Sequence, residues 1–403
     1  MDTTEQIEEE TVEPIIMDVD WSDYFEEING SAVIQNKKEP NFSDIANCPC
    51  IRYNKSKQNC ERGSSHMTTK IFLVRHAEAE GNLYRLAHGQ YDSAITPGGY
   101  RQLVYLRERF RSERIDAVYG SDLTRTHTTA SAIYIPKGLP FQPVPLLREL
   151  CLGAWEQMSW GEILRMDRQM YIDFNKRPDL WRADHAETFA QVRDRMLEAL
   201  RTIAAAHPGG TVAAVSHGAA LRTLLGTLQG LSLEEIGCTG HGDNTAVSLV
   251  EVEGDAMRVV FRDDASHVPA SASTFRRQSW HKDDAATEPG LWYDTVQEDE
   301  NSRTAIAMLD EEKAGSFSVT LAPDALRITD YQILPQFQGK GYGVQLLGQA
   351  VQFARKRGRD RLALTCGAPL DGYFKRYGFQ TAETGDGLVM DIRPVIREIP
   401  ELS

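Results

Sequence analysis

Cysteine is scarce, with six residues (Cys48, Cys50, Cys60, Cys151, Cys238 and Cys366) in a chain of 403. So few cannot staple a fold of this length, which excludes a disulfide scaffold. The last three are widely scattered and are expected to be buried thiols. Cys48, Cys50 and Cys60 have no fourth ligand at a suitable spacing other than His66, so no zinc site is expected. No apolar run approaches the roughly 20 residues that a membrane span requires, so a membrane is not an expected partner. The first thirty residues contain no Lys or Arg. A secretory leader opens on basic residues, so a cytoplasmic protein is expected. Positive charge is short overall, at a net −14, which argues against nucleic acid as a partner. The deficit is uneven: residues 1–66 carry −8 and the other 337 carry −6. The body of the chain is therefore only mildly acidic.

What is present points to two or three domains, because 403 residues exceed one ordinary core. Residues 1–66 read as an acidic tail or a fusion and tag segment. They contain the acidic and aromatic patch Trp21-Ser22-Asp23-Tyr24-Phe25-Glu26-Glu27, and they end in Gly63-Ser64-Ser65-His66-Met67, which is similar to the remnant of a cleaved tag. From Lys70 strands alternate with helices, the pattern of an α/β fold with a mixed, mostly parallel sheet flanked by helices over residues 67–262. Strands are expected over 70–74, 117–121 and 211–216, and a hairpin over 247–252 and 257–261. Helices are expected over 100–111, 122–133, 160–171, 187–206 and 219–228. Polar residues 263–299 read as a linker or lead-in. Residues 300–403 form a smaller α+β domain, with three strands over 304–309, 316–321 and 326–334, a helix over 344–356, a strand over 361–365 and a short helix over 370–377.

The run Ile71-Phe72-Leu73-Val74 ends in Arg75-His76, and Val212-Ala213-Ala214-Val215-Ser216 ends in His217. Open α/β sheets bind ligands outside the carboxyl ends of their strands, so both histidines face one crevice. Hydrolysing a phosphate monoester without a metal needs arginines to hold the oxygens. It also needs a neutral nucleophile that can carry phosphorus, and a group that donates and then accepts a proton. His76 fits the nucleophile and Arg75 the first clamp. Arg125, at a helix start in Ser121-Asp122-Leu123-Thr124-Arg125, fits the second.

These residues sit in a wider set: Arg75-His76-Ala77-Glu78 with Asn82, Thr96-Pro97-Gly98-Gly99 with Gln102, Thr126 with Thr129-Ala130, Arg148-Glu149-Leu150 with Trp155-Glu156, and Ser216-His217-Gly218. The set resembles the histidine phosphatase superfamily, phosphoglycerate-mutase-like branch, in order and extent. That resemblance implies a phosphohistidine on His76, phosphate held by Arg75, Arg125 and His217 with support from Asn82, and Glu149 as proton donor. It implies a small phosphorylated substrate and no cofactor. Ala77 stands where the family usually has Gly. Leu150-Cys151-Leu152-Gly153 follows Glu149 where mutases resemble one another in Arg-His-Tyr-Gly, which favours hydrolysis over mutase activity.

In the last third, Gln336-Phe337-Gln338-Gly339-Lys340-Gly341-Tyr342-Gly343 leads from a strand into a helix, aiming backbone N–H groups at one spot. With Tyr377-Gly378-Phe379 it resembles the GNAT acetyltransferases. The resemblance implies acetyl-CoA as cofactor, bound through Gln336, Gln338, Gly339, Lys340, Gly341 and Gly343, and an acetyl acceptor that the sequence does not name. Phe374 stands where that family often has a Tyr, with Tyr373 and Tyr377 on either side.

Overall fold

The computed structural model describes residues 67–277, 290–365, 368–383, 385 and 387–401. The expectations for residues 1–66, including Cys48, Cys50, Cys60 and residues 21–27, lie outside the described residues, as does Cys366.

The first sheet contains β1 (Thr69–Arg75), β2 (Ala117–Gly120), β3 (Phe141–Pro143), β4 (Thr211–Ser216), β5 (Val247–Glu253) and β6 (Ala256–Asp264), in the order β3-β2-β4-β1-β5-β6. The first four pair in parallel, and β5 and β6 add antiparallel strands at one edge. Alternation explains why β1 is apolar without a break from Ile71 to Val74. Ile71 and Leu73 enter one core with Val212, Ala214 and Val250. Phe72 and Val74 enter a second core, on the opposite face, with Ala213, Val215 and Val247. A strand covered on both faces has no solvent side to keep polar.

Eight helices accompany these strands among the described residues: α1 (Glu80–Tyr84), α2 (Pro97–Arg109), α3 (Thr124–Lys137), α4 (Trp160–Met166), α5 (Arg168–Lys176), α6 (Phe189–Ala206), α7 (Gly218–Leu228) and α8 (Leu233–Ile236). Thr96 caps α2 through its hydroxyl and Pro97 takes the first helical position. The stretch 160–171, expected as one helix, is two. Asp167 ends α4 and its side chain caps α5 by accepting from Met170 N, so a residue that stops one helix starts the next. The α3 helix starts at Thr124 and runs past Ile133 and through Pro136 to a left-handed Gly138.

A short helix, α9 (Thr274–Arg277), precedes the second sheet. That sheet holds β7 (Trp292–Glu298), β8 (Ser302–Leu309), β9 (Glu312–Leu321), β10 (Leu326–Ile333), β11 (Arg361–Leu364), β12 (Gln380–Thr381) and β13 (Leu388–Asp391), in the order β12-β13-β11-β10-β9-β8-β7. It is antiparallel except for β10 with β11, and it packs on α10 (Tyr342–Lys356), followed by α11 (Ala368–Arg376). Strand β7 lies inside the stretch that reads as lead-in. It is an edge strand whose residues from Asp294 to Glu298 are all exposed, so its sequence looks like solvated linker.

Two expectations about thiols fail. Cys238 is exposed in the turn after α8, and Cys151 is only partly buried beside Glu149. Both sit in connections, where neither sheet face is available to cover them. No helix among the described residues is long and apolar enough to cross a membrane.

Candidate active site

Parallel pairing sets Arg75 of β1 level with Ser216 of β4, so the residues that follow, His76 and His217, emerge side by side. Their ring centroids are 5.3 Å apart. Strand β2 is the other neighbour of β4 and delivers Ser121, then Arg125 in the first turn of α3. Three strand ends thus feed one cluster.

His76 is held on every side. Its backbone N donates to Ser216 O at 3.0 Å and its carbonyl accepts from Asn244 Nδ2 at 2.8 Å. Ring Nδ1 lies 2.7 Å from the carbonyl of Ala77. A carbonyl only accepts, so Nδ1 carries the hydrogen and the free lone pair is on Nε2. Burial, then the cations Arg125 and Arg75 and the ring of His88, hold the His76 pKa well below the ordinary imidazole value. It is a neutral base at pH 7. Ala77 lies outside the left-handed region, so its methyl costs the turn nothing.

Arg125 is fully buried. It donates from Nη1 to Tyr91 O at 2.8 Å, from Nη2 to His88 O at 3.0 Å and Gly89 O at 2.5 Å, and from Nε to His217 Nδ1 at 3.2 Å. Burial brings its pKa down to about 10, which leaves it charged at pH 7. Because a guanidinium can only donate, His217 Nδ1 is an acceptor and Nε2–H donates to Ser121 Oγ at 2.7 Å. Both ring nitrogens of His217 are therefore spent on protein partners. Arg75 donates from Nη1 to Gly242 O and lies against the first turn of α7, while its buried Nε has no protein partner. The Phe275 ring of α9 lies 5.8 Å from the Arg75 guanidinium carbon.

Glu149 sits on the N-terminus of α7. Its Oε1 accepts from Leu150 N and Ala220 N, both at 2.9 Å, and its Oε2 from Ala219 N at 3.1 Å. Arg195, paired with Glu187 at 2.8 Å, fastens this loop by donating to Glu149 O at 3.0 Å. The structure brings His76, His217, Arg75, Arg125 and Glu149 around one crevice. Asn82 stands on α1, where its Oδ1 accepts from Ala79 N at 3.0 Å and from Asn244 Nδ2 at 3.4 Å.

Three contributors carry no legible role in the sequence. His88 packs edge-on against His76 with centroids 5.6 Å apart and holds Ser93 Oγ at 3.2 Å. Asn244 orients His76, and Phe275 reaches the site from 199 residues downstream of it.

In the second sheet, β10 pairs with β11 only over residues 326–328; past a register shift in its pairing with β9 between Ile328 and Asp330, it runs on to Ile333 against β9 alone. The two strands part beside the glycine-rich loop. Gly339 and Gly341 take φ of 77° and 82°, conformations that favour glycine, and Gly341 opens the 15-residue α10 with no side-chain cap. Gln338 Nε2 donates to Ile333 O at 2.9 Å, and Gly343 lies under the Tyr373 hydroxyl, which is 3.3 Å from that of Tyr331. Uncapped N–H groups at a helix start, backed by a parted strand pair, fit a diphosphate. Gln336 and Lys340 are at its rim, with Gln336 directed to Glu312 at 3.3 Å.

A mixed α/β sheet with two histidines and two arginines at adjoining strand ends defines an enzyme class that handles phosphate, here joined to a second α+β domain. Residues 71–265 match the histidine phosphatase superfamily (branch 1), and residues 270–379 match the acetyltransferase (GNAT) family. The chain belongs to the histidine phosphatase superfamily and carries a GNAT-family domain. It is 32% identical over 206 residues to an Arabidopsis thaliana protein described as "Metal-independent phosphoserine phosphatase", covering 50% of this chain and 83% of that one. It is 36% identical over 162 residues to a Yersinia enterocolitica protein described as "Probable phosphoglycerate mutase GpmB", covering 40% and 75%. The solved structure "Bacillus stearothermophilus YhfR" is 32% identical, with a TM-score of 0.48, covering 49% of this chain and 98% of that one.

Proposed function

We propose that residues 67–262 hydrolyse small phosphomonoesters through a phosphohistidine on His76, with arginines in place of a metal ion. The observation that carries this is the buried, neutral His76 with its lone pair on Nε2, set between two charged guanidinium groups. Nε2 attacks phosphorus and the bond to the ester oxygen breaks, with Glu149 giving that oxygen its proton. Water then attacks phosphorus, Glu149 takes the water proton, and the P–N bond breaks to release orthophosphate. Arg75, whose Nε has no protein partner, and Arg125 balance the phosphoryl charge in both steps. His217 acts by fixing Arg125, and Asn82 by fixing the start of α1.

Phosphoserine is the first substrate to test, given the name of the Arabidopsis relative, and 3-phosphoglycerate the second. The mutase alternative draws on the Yersinia relative. In ¹⁸O-water, hydrolysis puts one ¹⁸O in the released orthophosphate, whereas a mutase yields isomerised product with none. Glu149→Gln is expected to lower kcat by about 10²- to 10³-fold, the range of a lost general acid. Unchanged turnover in that variant removes Glu149 from the mechanism.

The GNAT-family domain is proposed to bind acetyl-CoA, its pyrophosphate held by the backbone from Gln338 to Gly343. When bound, the cofactor supplies an activated acetyl thioester. A β-branched residue is strained at the φ of Gly341, so Gly341→Val is expected to weaken acetyl-CoA at least about tenfold in isothermal titration. Equal affinity would place the diphosphate elsewhere.

A further inference from the structure

We propose that Arg355, on a helix of the GNAT-family domain, is a positioning residue of the phosphatase site. This rests on the reading of Arg125 as a phosphate clamp and adds to it a dependence on the other domain. The chain of contacts is short. Arg355 Nη1 donates to the Tyr91 hydroxyl at 2.8 Å, and the Tyr91 carbonyl accepts from Arg125 Nη1 at 2.8 Å. The same guanidinium grips Glu80 with both nitrogens, at 2.6 and 2.9 Å, and reaches the Ile392 carbonyl. Glu80 opens α1, the helix that carries Asn82, and its Oε2 also accepts from Ala94 N at 3.3 Å.

Residues 88–91 therefore form a strap with three sets of ties. Its carbonyls hold Arg125. Its N–H groups at Gln90 and Tyr91 donate to Glu156 at 2.8 and 2.9 Å. Its one long side chain facing the other domain, Tyr91, ends on Arg355. The ion pair is sheltered, with 16% of the Arg355 side chain and 9% of the Glu80 side chain exposed. Glu80 and Tyr91 keep Arg355 charged by raising its pKa. A guanidinium suits this place because its planar fork meets a carboxylate and a hydroxyl at once, which a lysine cannot.

The rest of the junction docks the domains without touching the strap. Gln352 Nε2 donates to Gln157 O, Gly348 packs on Tyr84, and Ser159 Oγ donates to Leu291 O at 2.8 Å. The cavity left among Glu80, Tyr91, Gln352 and Arg355 holds about 10 Å³, room for one water at most. Docking and positioning can thus be separated by mutation.

The test is titration of the full chain with inorganic phosphate, alongside phosphoserine turnover. Arg355→Met is expected to weaken orthophosphate about tenfold, Tyr91→Phe about threefold, and the double variant no more than Arg355→Met alone, because both act through one strap. Gln352→Ala should bind as the wild type does. Tyr91→Phe deletes only an oxygen, so it reports even if Arg355→Met fails to fold. Unchanged affinity in either single variant, or losses that add in the double, overturns the inference. A wild type that binds phosphate but turns over none of phosphoserine, 3-phosphoglycerate and p-nitrophenyl phosphate overturns the hydrolytic reading and leaves the inference standing if the variants behave as stated. A wild type that binds no phosphate overturns both.

Discussion

His76→Asn is expected to lower phosphoserine and p-nitrophenyl phosphate turnover by at least about four orders of magnitude, because asparagine offers no nitrogen lone pair to phosphorus. Rapid quench should show an acid-labile, alkali-stable phosphoenzyme in the wild type and none in the variant. Asparagine preserves one polar contact, since its amide can donate to the Ala77 carbonyl as Nδ1–H does. Orthophosphate binding should therefore fall far less than kcat. His217→Asn makes the informative contrast. Its ring holds Arg125 and Ser121 and offers no remaining nitrogen, so the expected loss is smaller, roughly 10- to 100-fold, and falls mainly on substrate affinity. If His217→Asn proves as damaging as His76→Asn while binding phosphate normally, its ring takes part in bond making and the assignment above is wrong.

Much of this site is legible in the chain because parallel strands translate sequence into position. The apolar runs ending at Arg75 and Ser216 mark two strands covered on both faces, and pairing them in register puts His76 beside His217. The start of α3 could be read from the strand that precedes it, and with it the place of Arg125. What the sequence hides are groups whose use depends on a partner far along the chain. His88 is an ordinary loop histidine until α1 brings Gly81 under its ring, where a Cβ would fall 2.1 Å from the imidazole. Phe275 lies in a polar stretch, and the contacts of α9 that bring it to Arg75 are single polar ones: Ser273 to Asp243, Gln102 to Thr274, Arg277 to Glu78. No periodicity encodes such contacts. Strand β7 was missed for a related reason, since an edge strand keeps its polar face in water and lacks the alternation that marks a half-buried one.

Acidification from pH 7.5 to 5.5 should destabilise the protein. His76 and His217 are buried and His88 and His241 half-buried, and desolvation first, then nearby arginines, holds each pKa well below 6.5. His267 is lowered to about 4 by burial as well. In the unfolded chain all of them return to about 6.5. The sign follows from linkage: below that value the unfolded state takes up protons that the folded state refuses, so stability is full at higher pH and is lost as pH falls through 6.5. All four shifts act in the same direction, so their contributions add to a loss of stability between pH 7.5 and 5.5. Asp391, with a pKa lowered to about 2 by Arg393, gives up its contribution only nearer pH 4 and below, outside this window. Urea midpoints at pH 7.5 and 5.5 measure the effect, and equal midpoints would refute it. His76→Asn should shrink the difference, making the inactive variant the more acid-tolerant one.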